Sequence, residues 1–424
     1  MSTEQLGAVA RAISPQSSTA SGLAACCLSL GAMPTLATDY QLNPRVELGG
    51  GYNDNVTLVS GPNQISAAQA LADARLEWLA QQPNWHWRIT PEVRGNWYSG
   101  HSDLNSNGEL LYLDGERRGP RYALDFYGYA AFQSLITNYL PTANIGGGLG
   151  TPQPGTTLGT PASIRENLGY VRPSYQFEMT PRSSLELNLE YTDATYSQQI
   201  QGYADYHNLA GAAGLVLKTA PTDSLTLRAT ASGFQPGVGR KADTYGVEVE
   251  WDGRFSATKQ YYLRAGAART DLSGSLAGEP AASSSTTTAT GGAGVQWTYT
   301  LTEIFLDLTR DVEPTGQGYA VDRNQLRLRV ARRFTPRFAG FLGARGIYDE
   351  PLPGAVAPTV TSQHYAYGTV GFEWRLVREF SLIGAYNFTD YRYSGLDAQA
   401  NAVHLSVVYE PHRPENGPAI TIGY

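Results

Sequence analysis

Apolar and polar residues alternate along most of the chain from about residue 45 onward. In 183–191, one set of alternate positions is apolar and the other polar: Leu185, Leu187, Leu189 and Tyr191 against Glu186, Asn188 and Glu190. Successive side chains of a β-strand point to opposite faces, so each such segment predicts a strand with one apolar and one polar face. A helix would place apolar residues three and four positions apart, and these segments do not.

The alternating segments are joined by short and long connections that take turns. Short ones contain Pro and polar residues, as at 181–182 and 336–337, and recur about every forty residues. Long ones are rich in Gly, Ser, Thr and Asn and occupy 53–68, 99–106, 134–163, 273–288 and 350–362. We count about eighteen segments, the first from 44 and the last at 397–410, with sixteen as the alternative count.

Strand length distinguishes a membrane barrel from a β-propeller, which also repeats at about forty residues. A propeller blade fits four short strands into one repeat, whereas each repeat here holds two strands of about twelve residues. A tilted strand of about 9–11 residues crosses the hydrocarbon core of a bilayer. The pattern therefore predicts an all-β protein, a single transmembrane antiparallel β-barrel in the outer membrane of a Gram-negative bacterium, with its short turns in the periplasm.

The amino-acid composition argues against the main alternative classes of protein. Aromatic residues make up 11% of the chain, which argues against general disorder. No apolar run reaches the roughly 18 residues that a membrane-spanning helix needs. The net charge is −7 and no basic tract stands out, so we expect no nucleic-acid partner.

The N-terminal segment resembles a secretory signal. Residues 23–37 are the most apolar run, contain both Cys26 and Cys27, and end in Thr35-Leu36-Ala37. Small residues at the first and third of those last positions are typical of a signal-peptidase site. We predict a signal peptide over 1–37, with a disordered tail or a lipoprotein cleavage box ending at Cys26 as alternatives.

Two boundaries follow for the rest of the chain. The barrel is predicted over 38–410. The segment 411–424 is predicted as a periplasmic tail or, alternatively, as a terminal strand, because Ile420, Ile422 and Tyr424 repeat the apolar alternation.

Charged residues concentrate on the polar faces, which we assign to the lumen. A charge facing lipid near midplane costs a few kcal/mol, so these faces predict a polar, wet interior. The predicted lumen-lining residues are Arg88, Glu92, Arg94, Glu186, Glu190, Glu248, Glu250, Arg264, Asp307, Arg327, Arg329, Glu373 and Arg375. In the densest group, Asp307 and Asp311 lie on one predicted strand beside Arg323, Arg327 and Arg329 on the next. These charges either form a selectivity ladder for a solute or, as we favour, neutralise one another between neighbouring strands.

The apolar faces carry aromatic residues near the strand ends, as expected for girdles at the two membrane interfaces. The group near the short turns comprises Trp85, Trp87, Tyr261, Trp297, Tyr299, Phe334, Phe338 and Trp374. The group near the long loops comprises Trp97, Tyr98, Tyr191, Tyr196, Tyr245 and Tyr393. High strand propensity of Tyr and Trp is the simpler alternative explanation.

The longest loop, 134–163, contains no charged side chain. Either it folds into the lumen and constricts it, or it lies at the surface. Its candidate constriction residues are Asn144, Gly147, Pro152, Pro154 and Gly159. A neutral loop would favour neutral or sugar-like solutes and would discriminate weakly between small ions. Inward Tyr127 and Tyr129 could contact the apolar faces of sugars.

Motifs that carry chemistry are absent from the sequence. The six histidines lack metal-ligand spacing, and there is no nucleophile-elbow motif. His404 and Ser406 share a predicted strand face, which is a weak signal for a catalytic pair. We expect no catalytic residue, no metal site, no cofactor and no enzymatic activity.

The first strand runs into its loop as Gly49-Gly50-Gly51-Tyr52-Asn53-Asp54-Asn55-Val56. This Gly-x-Tyr-x-Asp-Asn-Val sequence resembles the opening strand of the outer-membrane β-barrel porin 2 family. The resemblance implies a porin-like barrel, and some members of that family accompany exopolysaccharide secretion genes.

These observations predict an outer-membrane channel for small polar solutes or for export of an extracellular polysaccharide. The alternative is a non-conducting scaffold or adhesin that acts through its extracellular loops. Expected partners are outer-membrane lipid and lipopolysaccharide, the barrel assembly machinery, and a polysaccharide with its periplasmic export proteins.

Overall fold

The computed structural model describes residues 38–134, 164–197, 203–274, 282–355, 362–393 and 396–411. Three predictions fall outside these described residues. They are the signal peptide over 1–37, the five candidate constriction residues Asn144, Gly147, Pro152, Pro154 and Gly159, and the choice between tail and strand for 417–424.

The described residues form one closed antiparallel sheet of eighteen strands in chain order, in which β1 pairs with both β2 and β18. The all-β barrel and its strand count are thereby confirmed. Among the residues described, no helix is long and apolar enough to span a membrane. The strands are β1 Asp39–Asn53, β2 Ala67–Gln82, β3 Trp85–Tyr98, β4 Ser106–Arg118, β5 Tyr122–Ser134, β6 Arg165–Thr180, β7 Ser183–Tyr196, β8 Tyr206–Lys218, β9 Asp223–Pro236, β10 Lys241–Ser256, β11 Lys259–Gly274, β12 Ala282–Thr298, β13 Thr302–Pro314, β14 Ala320–Thr335, β15 Phe338–Pro351, β16 Gln363–Arg375, β17 Phe380–Tyr393 and β18 Leu396–Tyr409.

The largest differences from the predicted strand boundaries are at the starts of β1 and β12. β1 begins at Asp39 rather than at residue 44 and pairs with β2 from its first residue. β12 begins at Ala282, inside the predicted loop 273–288. Its run of Ser and Thr has loop-like composition, but in the structure Ser283 to Thr287 pair with β11. Thr is β-branched and fits a pleated ladder when a partner strand is present.

The two faces of the wall have opposite character. Large apolar side chains are exposed on the outside, among them Leu189, Val247, Val249 and Leu405. A closed antiparallel barrel with an apolar exterior is how strands cross a bilayer, because closure leaves no unpaired edge in lipid. The protein is therefore an outer-membrane barrel of a Gram-negative bacterium.

Three residues assigned to the girdle near the long loops lie on the inward face instead. Tyr98 and Tyr196 are buried, and Tyr393 pairs with inward Gln363. Each has the same parity along its strand as its inward neighbours, since a one-residue step reverses the face. Position near a strand end therefore does not show which face an aromatic residue occupies. The face follows from whether the residue lies an even or an odd number of positions from a neighbour of known orientation.

The wall is least regular between β12 and β13. Their register covers only 291–298 against 303–310, although β12 begins at 282 and β13 ends at 314. β13 and β14 remain paired as far as Pro314 and Ala320. Among the described residues, the upper parts of β12 and β13 thus diverge, whereas β13 to β16 stay paired with one another.

Gly292 allows the Tyr262 side chain to cross β12 near the point where β12 and β13 begin to diverge. The Tyr262 hydroxyl of β11 donates to Asp307 Oδ1 of β13 at 2.6 Å, passing over β12. A Cβ at Gly292 would lie 2.9 Å from the Tyr262 hydroxyl oxygen and 3.1 Å from the Leu308 carbonyl oxygen. Only glycine fits this close approach.

We expect Gly292→Val to displace Tyr262 and to destabilise the folded barrel by about 1–3 kcal/mol, the cost of a buried polar group that loses its partner. Urea unfolding in detergent measures the change. Gly368→Val is the matched control, because a Cβ there meets no atom within 4 Å. Equal stability of both variants would contradict this account of Gly292.

Candidate functional site in the barrel lumen

The strand registers place all thirteen predicted lumen residues on the inward face. Residues directly opposite each other on neighbouring strands share a face of the sheet. Glu248, for example, lies opposite Arg228 and Gly266, and Asp307 lies opposite Arg327 and Gly294. Their role in conducting a solute stays a prediction. The thirteen are Arg88, Glu92, Arg94, Glu186, Glu190, Glu248, Glu250, Arg264, Asp307, Arg327, Arg329, Glu373 and Arg375.

One side of the lumen carries a network of carboxylates bridged by two arginines. Arg228 donates to Glu250 at 3.4 Å and to Glu186 at 3.5 Å. Arg264 contacts Glu248 at 3.4 Å and Asp311 at 2.6 Å. The network links β7, β9, β10, β11 and β13, so negative charge is shared across five strands of the wall.

A cavity of about 870 Å³ lies against this side of the lumen. Seven carboxylates line it against four arginines: Glu186, Glu190, Glu248, Glu250, Asp252, Asp311 and Glu313 against Arg172, Arg228, Arg254 and Arg264. Fixed charges act strongly in a confined, low-dielectric space. Carboxyl groups therefore outnumber arginines among the residues that line the cavity.

The adjoining part of the wall, on β13 to β15, carries buried ion pairs. Arg323 Nη2 lies 2.7 Å from Asp349 Oδ2, and Arg327 Nε donates to Asp307 Oδ2 at 3.0 Å. The side chains of the Arg327–Asp307 pair are only 2% and 1% exposed. These charges neutralise one another, as we favoured. The predicted grouping was incomplete, however, because Asp311 pairs across β12 with Arg264 rather than with β14.

We expect Arg327→Leu to destabilise the barrel by about 3–5 kcal/mol, because it leaves the Asp307 carboxylate buried without its charged partner. Urea unfolding in detergent measures the effect. Arg118→Leu removes an arginine that is 72% exposed and contacts Glu116, and should cost at most about 1 kcal/mol. A loss of similar size in both variants would contradict this assignment.

Tyrosines form an aromatic surface on the third side of the lumen. The rings of Tyr112 and Tyr129 lie 5.1 Å apart, and those of Tyr127 and Tyr170 lie 5.8 Å apart. Arg172 lies over the Tyr127 ring at 5.9 Å. The aromatic surface thus adjoins the acidic cavity, which Arg172 also lines.

Chain segments from distant parts of the wall meet at the long-loop end of the lumen. Ala204, between β7 and β8, donates its amide to the Gly316 carbonyl between β13 and β14 at 2.8 Å. Arg240, before β10, donates to the Gly354 carbonyl after β15 at 2.6 Å. We call these two contacts, with their residues, the mouth contacts. They narrow the entrance to the lumen on the side of β7 to β15.

An apolar cluster supports the mouth contacts. Tyr206 and Phe234 of the wall are buried in one cluster with Tyr319, Val321 and Leu352. Gln363 Nε2 donates to the Tyr319 hydroxyl at 3.1 Å, and burial raises the pKa of that hydroxyl. Tyr319 therefore stays protonated and acts as a fixed part of the entrance.

Several inward residues of this site were not among the candidates. Arg228, Asp252, Glu313 and Arg345 face the lumen, and alternation in the sequence could have found each of them. The mouth contacts carried no such signal, because each ends on a backbone carbonyl of a Gly-containing turn.

His404 and Ser406 face inward but have separate partners. His404 Nδ1 contacts the Asn387 side-chain amide nitrogen at 3.2 Å, and the Ser406 hydroxyl donates to Glu47 Oε1 at 2.7 Å. Within the described ranges, no group of three or more His, Cys, Asp or Glu residues has the arrangement of a metal site.

Comparison with known proteins finds similarity only among solved structures. No family model matches the chain, and no curated protein matches it. Pseudomonas aeruginosa OccK2 (OpdF) in complex with glucuronate is similar at 10% identity, with a TM-score of 0.45, over 88% of this chain and 98% of that chain. A BenF-like porin from Pseudomonas fluorescens Pf-5 is similar at 10% identity, with a TM-score of 0.43, over 87% of this chain and 99% of that chain. The resemblance to the β-barrel porin 2 family stays a prediction.

Proposed function

We propose that the protein is a passive channel that admits small polar solutes to the periplasm and prefers those that carry positive charge. The acidic cavity inside the barrel is the observation that carries this proposal. Its volume of about 870 Å³ lies within the range of about 300–1,000 Å³ that is usual for small-ligand sites. Its carboxylates are placed to interact with an ammonium or guanidinium group.

The adjoining aromatic surface supports a solute that is amphipathic as well as charged. The Tyr170 hydroxyl donates to Glu190 Oε2 at 2.9 Å, so an aromatic ring and a carboxylate are held together. A cation is attracted to the face of an aromatic ring as well as to a carboxylate. The sequence had favoured neutral or sugar-like solutes because of its uncharged loop, whereas the charges of the described wall favour cations.

Liposome swelling tests the proposal with solutes of similar size and different charge. We expect faster entry of lysine than of glucose, and slowest entry of glutamate, because the negative lumen concentrates cations and repels anions. High salt should reduce the difference, since exposed charges are then screened. Entry of glutamate as fast as lysine would contradict the charge preference.

The mouth contacts favour a second candidate, a non-conducting scaffold. If the contacts close the entrance, the barrel would act through its loops and pass no solute. Single-channel recording separates the two functions, because a scaffold shows no reproducible open level in a planar bilayer. Export of an extracellular polysaccharide has no support from the described residues, since a polymer would have to pass the segments that meet across the entrance.

A further inference from the structure

Residues 54–66, which we call the first loop, form a compact unit at the long-loop end of the barrel. The loop joins β1 to β2, whose last pair is Asn53 and Ala67. The Val56 amide donates to the Ile65 carbonyl at 2.8 Å, so the two ends of the loop are held together. Compact loops of this kind are frequently functional.

Two polar residues tie the first loop to the last strand of the barrel. The Asp54 carboxylate accepts hydrogen bonds from the Asn401 amide at 2.7 Å and from Asn401 Nδ2 at 2.8 Å. Asn55 is only 2% exposed, and its Nδ2 donates to the carbonyls of Val59 and Gln399, each at 2.8 Å. The Asp-Asn pair that follows the first strand in the sequence therefore anchors the loop on β18.

The side chain of Leu58 is inserted into the lumen side of the wall. It is buried in one cluster with Tyr365, Tyr367, Tyr391, Ala398 and Ala400. Tyr391 lies two positions from inward Tyr393 and directly opposite Tyr365 and Ala398. Because residues of equal parity share a face, this cluster lies on the inward face of β16, β17 and β18.

The backbone of Leu58 is held in an unfavourable conformation. Its φ is 47°, and it is the only non-glycine residue with a positive φ in the part of the chain that the structure describes. The turn is fixed by Asn55, whose carbonyl accepts from the Leu58 amide and whose Oδ1 accepts from the Val59 amide, each at 3.2 Å. Strain of this kind persists only where surrounding contacts impose it, and it is common at functional sites.

The other end of the first loop packs against the strands that follow it. Val56 is buried in a second cluster with Ala67, Tyr98 and Leu104, of which Tyr98 faces inward. The tip of the loop, a short 3-10 turn at Gly61–Asn63, is exposed. The loop thus covers the inner wall from β16 through β1 to β3.

The covered part of the wall lies across the barrel from the acidic cavity. Residues of β6 to β13 line that cavity, and β9 is nine strands from β18 in either direction around the closed sheet. A barrel of this size leaves an aqueous channel wherever loops do not fill it. The first loop fills one side of the entrance and leaves the acidic side open.

We propose that the first loop directs solutes past the carboxylates of the acidic cavity. Leu58 anchors the loop on the inner wall and Asn55 positions it, so that a solute cannot cross on the β16 to β3 side. The loop thereby determines selectivity without contacting the cavity. This inference rests on the proposed function, because it assumes that solutes pass through the lumen.

Leu58→Asn tests the proposal in planar bilayers. Asn accepts the left-handed conformation but cannot replace the apolar contacts, so the loop should leave the wall. We expect the single-channel conductance to roughly double, because the open cross-section grows. The reversal potential under a potassium chloride gradient should move towards zero, because ions then bypass the carboxylates. Replacing 54–66 by Asn-Gly, a favoured two-residue turn, should have a larger effect in the same direction.

Pro62→Asn, at the exposed tip of the same loop, is the matched control and should leave both quantities as in wild type. Heat-modifiable gel mobility verifies that each variant is folded. Increased conductance with an unchanged, cation-selective reversal potential would overturn the proposal, because the loop would then not direct solutes to the acidic side.

Thiol labelling tests the position of the loop without relying on conductance. Val56→Cys should react with a membrane-impermeant maleimide roughly tenfold more slowly than Asn63→Cys, because a buried thiol must wait for local opening. Adding Leu58→Asn should accelerate the labelling of Val56→Cys, and wild type gives the background of Cys26 and Cys27.

The two assays separate failure of the loop from failure of the channel. Equally fast labelling of Val56→Cys and Asn63→Cys would overturn the inward position of the loop. Accelerated labelling with unchanged conductance would show that the loop does not limit passage. A wild type without cation preference would instead contradict the proposed function, while conductance and labelling would still test the loop.

Discussion

Replacing Glu186, Glu248 and Glu250 together with Gln should abolish the cation preference of the channel. The substitutions remove three negative charges and leave Arg228 and Arg264, which those carboxylates now neutralise. Four carboxylates would then line the cavity against four arginines. Reversal potentials in planar bilayers under a potassium chloride gradient measure the change directly.

Glu109→Gln provides the matched control. Glu109 pairs with Val93 on the outward face of β4 and is exposed, so its removal should leave the reversal potential as in wild type. Folding of the triple variant is checked separately by heat-modifiable mobility. A folded triple variant with wild-type selectivity would show that solutes do not pass the acidic cavity.

Shortening the β13–β14 turn should raise the conductance severalfold. Replacing residues 315–319 by Asn-Gly, a favoured two-residue hairpin turn, removes the Gly316 carbonyl that accepts from Ala204 and also removes Tyr319. The entrance would lose a mouth contact and part of its apolar cluster. Single-channel recording measures the result.

The corresponding change at the other end of the barrel is the control. Replacing residues 219–222, the short turn between β8 and β9, by Asn-Gly should leave conductance unchanged. If shortening 315–319 has no effect, the mouth contacts do not limit flow. Deleting 143–160 tests the long uncharged loop in the same assay, and a severalfold rise is expected there if that loop constricts the lumen.

The eighteen strands and their two faces could be predicted because both depend on a local signal. Side chains alternate strictly along a strand, so Glu248 and Glu250 had to share a face and Val247 and Val249 the other. The same parity would have corrected Tyr98 and Tyr196. Local alternation was enough wherever the wall is regular.

Side-chain contacts between strands could not be predicted from the sequence. They depend on the strand register and on glycines that leave space on an intervening strand. Asp311 reaches Arg264 over β12, where inward Gly292 presents no side chain. The mouth contacts likewise depend on how connections bend, which alternation does not report. Gly318, for example, has a φ of 83°, a conformation that favours glycine.

The pairing of the first and last strands determines when the barrel can be completed. Val46 lies opposite Tyr409, and Asn53 lies opposite Ala402, so this ladder joins residues from the two ends of the sheet. Contacts of such long sequence separation form slowly, because much of the chain must be ordered first. Until β18 arrives, β1 and β17 each present an open edge that would be unsatisfied in hydrocarbon. Closure of this ladder is therefore the step that makes the protein compatible with the membrane.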